Sequence, residues 1–406
     1  MKTRFFNVGH GDTILIELEK SNLQKHYILR DYGASSCNKN NMGFIAIDTV
    51  FNKHLLPLLS SKSTFDVYLS HPHQDHFNGF LYLFNNNPAK KTNKKYFSKA
   101  IIPMIDFSTR NSMGALLVKQ TLMEHIFSIK GIKSSFQENS KNWLLAAPVL
   151  YGLSGGNLYC VDKGYTQIIG NYQINTLWPF IPEGDYNEFY TYEESSIILS
   201  FFSEDQLFQL NNYAEKIIRI LAAYYNAEKT VFSIDDCQSD IEELTRQISL
   251  AEDIANRIND KKEFNSQELI NKVSTNLDNF SLNFEILDNN ANKKFLFLSD
   301  AYDPTVNKML VMNNLNNIAY DFIKSSHHGT RAAGALNKNG ITSKKIIHCC
   351  GGTNNPSWTG PISKYEQIAP KGNIALSWDY TRTPPQKPWH KWSNLTINSG
   401  DYLDIP

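Results

Sequence analysis

Nowhere does the chain carry an apolar run approaching the ~20 residues that a membrane-spanning helix needs, which sets helical membrane proteins aside. Net charge is missing as well. Lys plus Arg and Asp plus Glu each number 40, so no global field draws the chain onto nucleic acid or an anionic membrane, and any polyanion has to be bound locally. The five cysteines, Cys37, Cys160, Cys237, Cys349 and Cys350, are odd in number and without a framework spacing. They exclude a disulfide-stapled scaffold, and adjacent Cys349 and Cys350 read as buried strand thiols. No apolar leader with a small-residue cleavage site follows Met1, so the expected location is the cytoplasm. Internal repeats and long low-complexity tracts are absent too.

What is present is an ordinary globular composition, 41% hydrophobic and 20% charged over 406 residues, enough for one elaborated α/β domain or for two. Strands are expected at Arg4 to Val8, Thr13 to Leu18 and Tyr27 to Arg30, with Gly9-His10-Gly11-Asp12 as the first turn. Ile47 to Leu59 has helical spacing, Phe65 to Ser70 reads as a buried strand, and Phe77 to Phe84 reads as a helix. Further strands are expected at Ala100 to Ile105, Tyr172 to Leu177, Ser196 to Phe202, Phe284 to Leu287, Phe295 to Ser299, Phe322 to Ser325, Lys345 to Cys349 and Ile374 to Trp378. Strands and helices thus alternate in two halves. From residue 204 to about 280 the rhythm breaks. Apolar residues at Leu207, Leu210, Ile217, Leu221 and at Ile241, Leu244, Ile248, Ile254, Ile258 mark two amphipathic helices, expected to pair as a hairpin. Their stripes pack on each other and the core, or else serve as a lid or as an arm for a protein partner or a second copy. Lys90, Lys91, Lys94, Lys95 and Lys99 form the best local candidate for a polyanion surface, against a plain solvated loop.

The chemistry concentrates in Ser70-His-Pro-His-Gln-Asp-His76. Three imidazoles and a carboxylate within six residues, His71, His73, Asp75 and His76, are costly to gather unless a cation collects them, and these are ligand types that zinc and similar ions use. At a strand end His71 and His73 point the same way, while Asp75 and His76, on the following turn, face a second ion. Other strand ends offer more donors: Asp300 follows Phe295-Leu-Phe-Leu-Ser, and His327 and His328 follow Phe322-Ile-Lys-Ser-Ser. Asp31, ending the third strand, is suited to accept from a ligand imidazole and fix its orientation.

In this order, the His-x-His-x-Asp-His segment, the Ser-Asp and the His-His-Gly resemble the metallo-β-lactamase superfamily. The segments Phe5 to Ile16, Ile28 to Gly33, Leu69 to His76, Glu194 to Leu199, Phe297 to Asp300 and Lys324 to Thr330 are similar to the hydrolase domain of ComEC-type DNA-uptake proteins and their soluble relatives. The resemblance implies an αββα sandwich over residues 1–203 and 281–406, with 204–280 as a helical insertion. It carries metal ligands to His71, His73, Asp75, His76, Asp300 and His327, with Asp300 bridging two divalent ions. Zinc is the first expectation, and Mn²⁺ or Mg²⁺ the alternatives.

One departure stands out. Family members place another histidine between the His-rich segment and the bridging Asp, whereas the only histidine from 77 to 299 here is His125, in the helix-like stretch Leu116 to Phe127. The implied activity is metal-dependent hydrolysis, with Asp75 orienting the nucleophile and His328 contacting substrate or donating a proton. A phosphodiesterase or nuclease acting on DNA or a nucleotide leads. A lactone or carboxylic ester hydrolase is the second enzymatic reading, because the fold supports several hydrolyses on similar ligand sets. The third is a metal-binding effector or regulatory subunit without catalysis, of the kind the resemblance places beside phage-defence modules. His10 and Asp12 are either ordinary turn residues or part of the site.

Overall fold

Alternate apolar residues sort to opposite faces of each strand, and two seven-stranded sheets in the computed structural model are built on that period. The structure describes residues 1–9, 11–20, 24–34, 45–59, 64–86, 95–107, 112, 114–115, 117–119, 121–122, 136–180, 203–229, 233–256, 278–349, 364–369, 374–376 and 401–405. In chain order the first sheet contains β1 (Lys2–Phe6), β2 (Thr13–Glu19), β3 (Lys25–Tyr32), β4 (Thr64–Tyr68), β5 (Lys99–Pro103), β6 (Leu158–Val161) and, beside β1, β16 (Tyr402–Ile405). Pairing is antiparallel from β16 to β3 and parallel from β3 to β6.

The second sheet repeats that plan. β7 (Thr166–Ile169), β8 (Tyr172–Trp178), β9 (Asn283–Asp288) and β10 (Lys293–Phe297) are antiparallel neighbours. From β10 the sheet continues in parallel through β12 (Phe322–Lys324), β14 (Ile346–His348) and β15 (Ile374–Leu376). A short parallel ribbon joins β11 (Ala319–Tyr320) to β13 (Thr342–Ser343).

Three apolar clusters separate four layers. Between the sheets lie Ile14, Ile16 and Ile28 from one side and Phe284, Phe295, Phe297 and Phe322 from the other. Leu15, Leu29 and Val67 point outward from the first sheet into a cluster with Phe77, Phe80 and Trp143 of the helices Gln74–Asn85 and Phe136–Leu153. On the outside of the second sheet, Leu296, Leu298 and Ile323 meet Val306, Met309 and Leu336 of the helices Asp303–Met312 and Ala333–Lys338. The architecture is the αββα sandwich.

The helical hairpin is present as Glu204–Tyr225 and Ile234–Asn256. Ser203 opens its first helix with a capping box to Gln206. Ile217, Leu221, Leu244 and Ile248 are buried in the same cluster as the sandwich helices, so these stripes pack on each other and on the core. Beyond the hairpin, Asp278 is buried ahead of β9, and Leu282 N donates to Ser70 O at 2.7 Å.

Several expected elements shift. The helix after the His-rich segment starts at Gln74 rather than Phe77, because the His73 carbonyl accepts from His76 N at 3.0 Å and Phe77 N at 2.9 Å. Asp75 and His76 therefore stand in a first helical turn. The helices Phe136–Leu153 and Asp303–Met312 and the strands β6, β7 and β16 were not expected from the pattern. Expectations at Ser196 to Phe202, His10, Lys90, Lys91, Lys94, His125 and Ile258 lie outside the described residues, as do Cys37 and Cys350. No helix among the described residues is long and apolar enough to cross a membrane.

Candidate metal centre

Parallel strands deliver chemistry at their carboxyl ends, and both sheets contribute here. Asp31 ends β3, His71 to His76 follow β4, Asp300 follows β10, and His327 and His328 follow β12. All seven sequence-derived site residues, His71, His73, Asp75, His76, Asp300, His327 and His328, come together, although Asp300 and the His pair are more than two hundred residues from the His-rich segment.

The segment is fixed from below. Gly33 N donates to Asp12 O at 3.1 Å, and Asp12 N donates to Asp75 O at 2.9 Å. A Cβ on Gly33 would overlap the Asp75–His76 peptide, so this close approach of backbones requires glycine. Ser70 N and Oγ both donate to the Asp31 carboxylate, at 2.6 and 2.7 Å. Four non-glycine residues around the site, Asp31, His327, His328 and Ala332, hold φ of 55°, 43°, 55° and 67°. Such left-handed backbone persists where surrounding contacts over-determine it, and it clusters at functional sites.

The imidazoles are oriented from behind. His71 Nδ1 lies 3.1 Å from Ser70 Oγ and 3.2 Å from Ser299 Oγ, and His76 Nδ1 lies 3.0 Å from Asp31 Oδ2. Asp31 thus contacts a site imidazole as the sequence suggested. The opposite nitrogens face Asp300: His71 Nε2 is 3.7 Å and His76 Nε2 3.6 Å from its Oδ2. His76 Nε2 is also 3.8 Å from Asp75 Oδ2, and His328 Nε2 is 3.0 Å from the same oxygen. His328 Nδ1 lies 2.5 Å from the Cys349 carbonyl. His327 sits at the rim with 28% of its side chain exposed, its Nε2 3.9 Å from Asp300 Oδ2.

Burial raises Asp75, but His76 and the hydrogen-bonded His328 more than offset it and hold this carboxyl far below the usual range. Asp300 behaves alike, with His76, His327 and His71 overcoming its burial. Burial, aided by His76 and His73, pushes His71 well below the ordinary imidazole value, and burial takes His327 down to about 3. His76 and His328 go the other way: burial lowers both, but Asp75 and Asp300, then Asp12, outweigh it and raise them, so the carboxylates favour positive charge at these two imidazoles, the place a metal ion would take.

Four donor groups, each with atoms within 4.8 Å of one another, are of a kind that binds a metal ion: His71, His76, Asp300; His71, His73, Asp278; Asp75, His76, His328; and Asp12, Asp31, His76. The last already has its cations. Arg30 Nη1 lies 3.1 Å from Asp12 Oδ2 and 3.5 Å from Asp31 Oδ2, and Lys324 Nζ pairs with Asp12. Asp12, Arg30 and Lys324 are all fully buried between the sheets, so Asp12 is a core ion-pair partner beneath the site rather than a turn residue.

Sequence reasoning missed Asp278, Arg30, Lys324 and Arg331. The ligand types legible in the sequence stand at the carboxyl ends of strands, whereas Asp278 precedes β9, and Arg30 and Lys324 read as ordinary members of strands. The one usable signal was a charged residue in an apolar strand pattern, as at Arg30 and Lys324.

No protein-family model matches the chain, and no curated protein does. Among solved structures it is similar to the metallo-beta-lactamase fold protein YhfI from Bacillus subtilis, at 8% identity over 92% of this chain and 96% of that one, with a TM-score of 0.38. It is also similar to a protein of unknown function from Enterococcus faecalis V583, at 9% identity over 91% of this chain and 64% of that one, with a TM-score of 0.29.

Proposed function

We propose that this chain is a divalent-metal-dependent hydrolase of the metallo-β-lactamase type, cleaving phosphodiesters, with DNA or a nucleotide as substrate. The spacing of buried donors carries the reading. His71 Nε2 and His76 Nε2 stand 3.6 to 3.8 Å from the Asp300 and Asp75 oxygens, beyond hydrogen-bond reach. Two ligands about 2.1 Å from one tetrahedral ion sit roughly 3.4 Å apart, close to those separations. His71 Nε2, His76 Nε2 and Asp300 Oδ1 are buried with no hydrogen-bond partner among the described residues. Leaving such atoms unsatisfied costs about 1–3 kcal/mol each, which a bound cation removes.

In this reading His71 and His73 would hold one ion and Asp75 and His76 another, and Asp300, which faces both His71 and His76, would serve as a ligand beside them. The short approach of His328 to Asp75 favours His328 as the last ligand of the second ion, and exposed His327 then faces the leaving group. This exchanges the roles that the resemblance gives the pair. Zinc suits the imidazoles, and the carboxylate share leaves Mn²⁺ or Mg²⁺ as alternatives. When bound, the ions supply Lewis acidity to water and to the scissile group. Asp75, ionised and with 26% of its side chain exposed, would orient the nucleophilic water by accepting its hydrogen bond.

The phosphodiester assignment is supported by the ComEC-type motifs and not by a basic surface. Of the lysine cluster, Lys99 is turned to Asp66, 3.6 Å away. The test is turnover of bis-p-nitrophenyl phosphate, single-stranded and duplex DNA, and RNA with Zn²⁺, Mn²⁺ or Mg²⁺, beside p-nitrophenyl esters and a lactone. Asp75→Ala and Asp300→Ala serve as controls. Phosphodiester cleavage lost in both variants is expected. Cleavage of the esters alone refutes the substrate class, and activity equal in the variants refutes the site.

A further inference from the structure

We propose that Asp278 is a ligand of this metal centre, standing where a third imidazole would complete the pair His71 and His73, and that it biases this position toward harder ions such as Mn²⁺. The inference rests on the metal-dependent reading above. His71 and His73 bring two imidazoles to one side of Asp300, and from residue 77 to 299 the sequence offers only His125 as a further imidazole. Asp278 arrives instead, from the chain leading into β9, 3% exposed.

Its two oxygens have different surroundings. Arg331 Nη1 donates to Oδ2 at 2.6 Å. Oδ1 lies 3.2 Å from His73 Nδ1 without hydrogen-bond alignment, and it is buried with no hydrogen-bond partner among the described residues. Arg331 is itself held fast: Nη1 donates to Asp300 O at 2.6 Å, Nη2 donates to Tyr302 Oη at 2.6 Å, and its guanidinium lies 3.6 Å over the Tyr302 ring. One carboxylate oxygen is therefore anchored by a fixed guanidinium while the other is aimed, unsatisfied, at the imidazoles.

A carboxylate that served only to pair with Arg331 would gain nothing from presenting its second oxygen to His73 in a buried site. Charge points the same way. Asp75, Asp278 and Asp300 converge here, and among the described residues their ion pairs with Lys or Arg come down to Arg331–Asp278. A position built from two imidazoles and carboxylates is oxygen-richer than one built from three imidazoles, and oxygen donors favour Mn²⁺ relative to Zn²⁺.

The experiment measures metal stoichiometry and affinity of chelator-stripped protein for Zn²⁺ and Mn²⁺, by calorimetry and by competition with a chromophoric chelator. The proteins are the natural chain, Asp278→Asn and Asp278→His, each checked for fold by circular dichroism. Two ions in the natural chain are expected. Asp278→Asn should weaken one of them at least about 100-fold, and Asp278→His should restore it with the Zn²⁺ over Mn²⁺ preference raised about tenfold or more. The visible spectrum of the Co²⁺-loaded chain should change in Asp278→His, which keeps the test open should the Asn variant fail to fold. Two ions bound by Asp278→Asn with unchanged affinity overturn the ligand role, as does an unchanged Co²⁺ spectrum in Asp278→His. An unchanged metal preference overturns the selectivity claim. No ion in the natural chain overturns the metal-centre reading itself, and the inference with it.

Discussion

Lys324→Met should destabilise the chain far more than a surface change, and Asp12→Asn should largely relieve the damage. Lys324, Asp12 and Arg30 are fully buried, and the Lys324 ammonium pairs with the Asp12 carboxylate that Arg30 Nη1 also reaches at 3.1 Å. Breaking a buried pair by removing one partner costs about 3–5 kcal/mol, because the surviving charge stays desolvated; removing both partners is often nearly neutral. At about 2.1 cal/mol/K per residue, the 406 residues have an unfolding entropy near 0.85 kcal/mol/K, so ~4 kcal/mol lowers Tm by about 5 °C. The acid limb should move as well. Burial raises Asp12, but Lys324, then His76 and Arg30, outweigh it and bring the carboxyl down to about 2 from 3.8. A depressed carboxylate adds stability that is present above pH 3.8 and is lost as pH falls toward 2. Losing Lys324 should therefore shrink this contribution and flatten the acid limb between those values. Thermal melts of the chelator-stripped natural chain, both single variants and the double variant form a cycle. A double variant whose loss equals the sum of the single losses would refute the buried-pair reasoning, because the partners would then act independently.

Two further outcomes follow from the same geometry. Asp31→Ala removes the carboxylate 3.0 Å from His76 Nδ1 and should weaken metal affinity about 10–100-fold while the fold persists; competition with a chromophoric chelator reads this, and unchanged affinity would count against Asp31 as the orienting group. His348 is pushed down to about 3 by burial and then by Lys324, so the unfolded chain takes up a proton below pH 6.5 that the folded chain refuses. Stability owed to this group is complete above pH 6.5 and declines as pH falls toward 3, at roughly 1.4 kcal/mol per pH unit. His348→Asn, which leaves a polar atom for Ser325 Oγ, should narrow its stability deficit relative to the natural chain as pH drops from 7 to 4. A deficit that stays constant in denaturation curves across that range would contradict the assignment.

Much of the sandwich was legible because strand periodicity is local. Ile14, Ile16 and Ile28 face inward while Leu15 and Leu29 face the helices, and that alternation is written in consecutive residues. The strands that escaped notice, β6, β7 and β16, are four residues each, too short for a period to emerge, while the helix Phe136–Leu153 carries Pro148 in its interior, which reads as a break. His71, His73, Asp75 and His76 marked a candidate metal site because ligand types rarely crowd into six residues without a cation to gather them. Asp300, His327 and His328 followed from their place at strand ends.

By itself, then, the sequence determined the chemistry of the donors and most of the strands that present them. Only the tertiary structure decided which donors meet. Asp278 has no local pattern to mark it, because what makes it notable is a distance to His73 across two hundred residues of chain. The pairing of Lys324 with Asp12 is equally non-local, since the two are more than three hundred residues apart, and burial between two sheets is what forces Lys324, Asp12 and Arg30 together. Which of His327 and His328 approaches Asp75 was settled by two consecutive left-handed backbone conformations, fixed by packing around the site and not by the identity of two identical side chains.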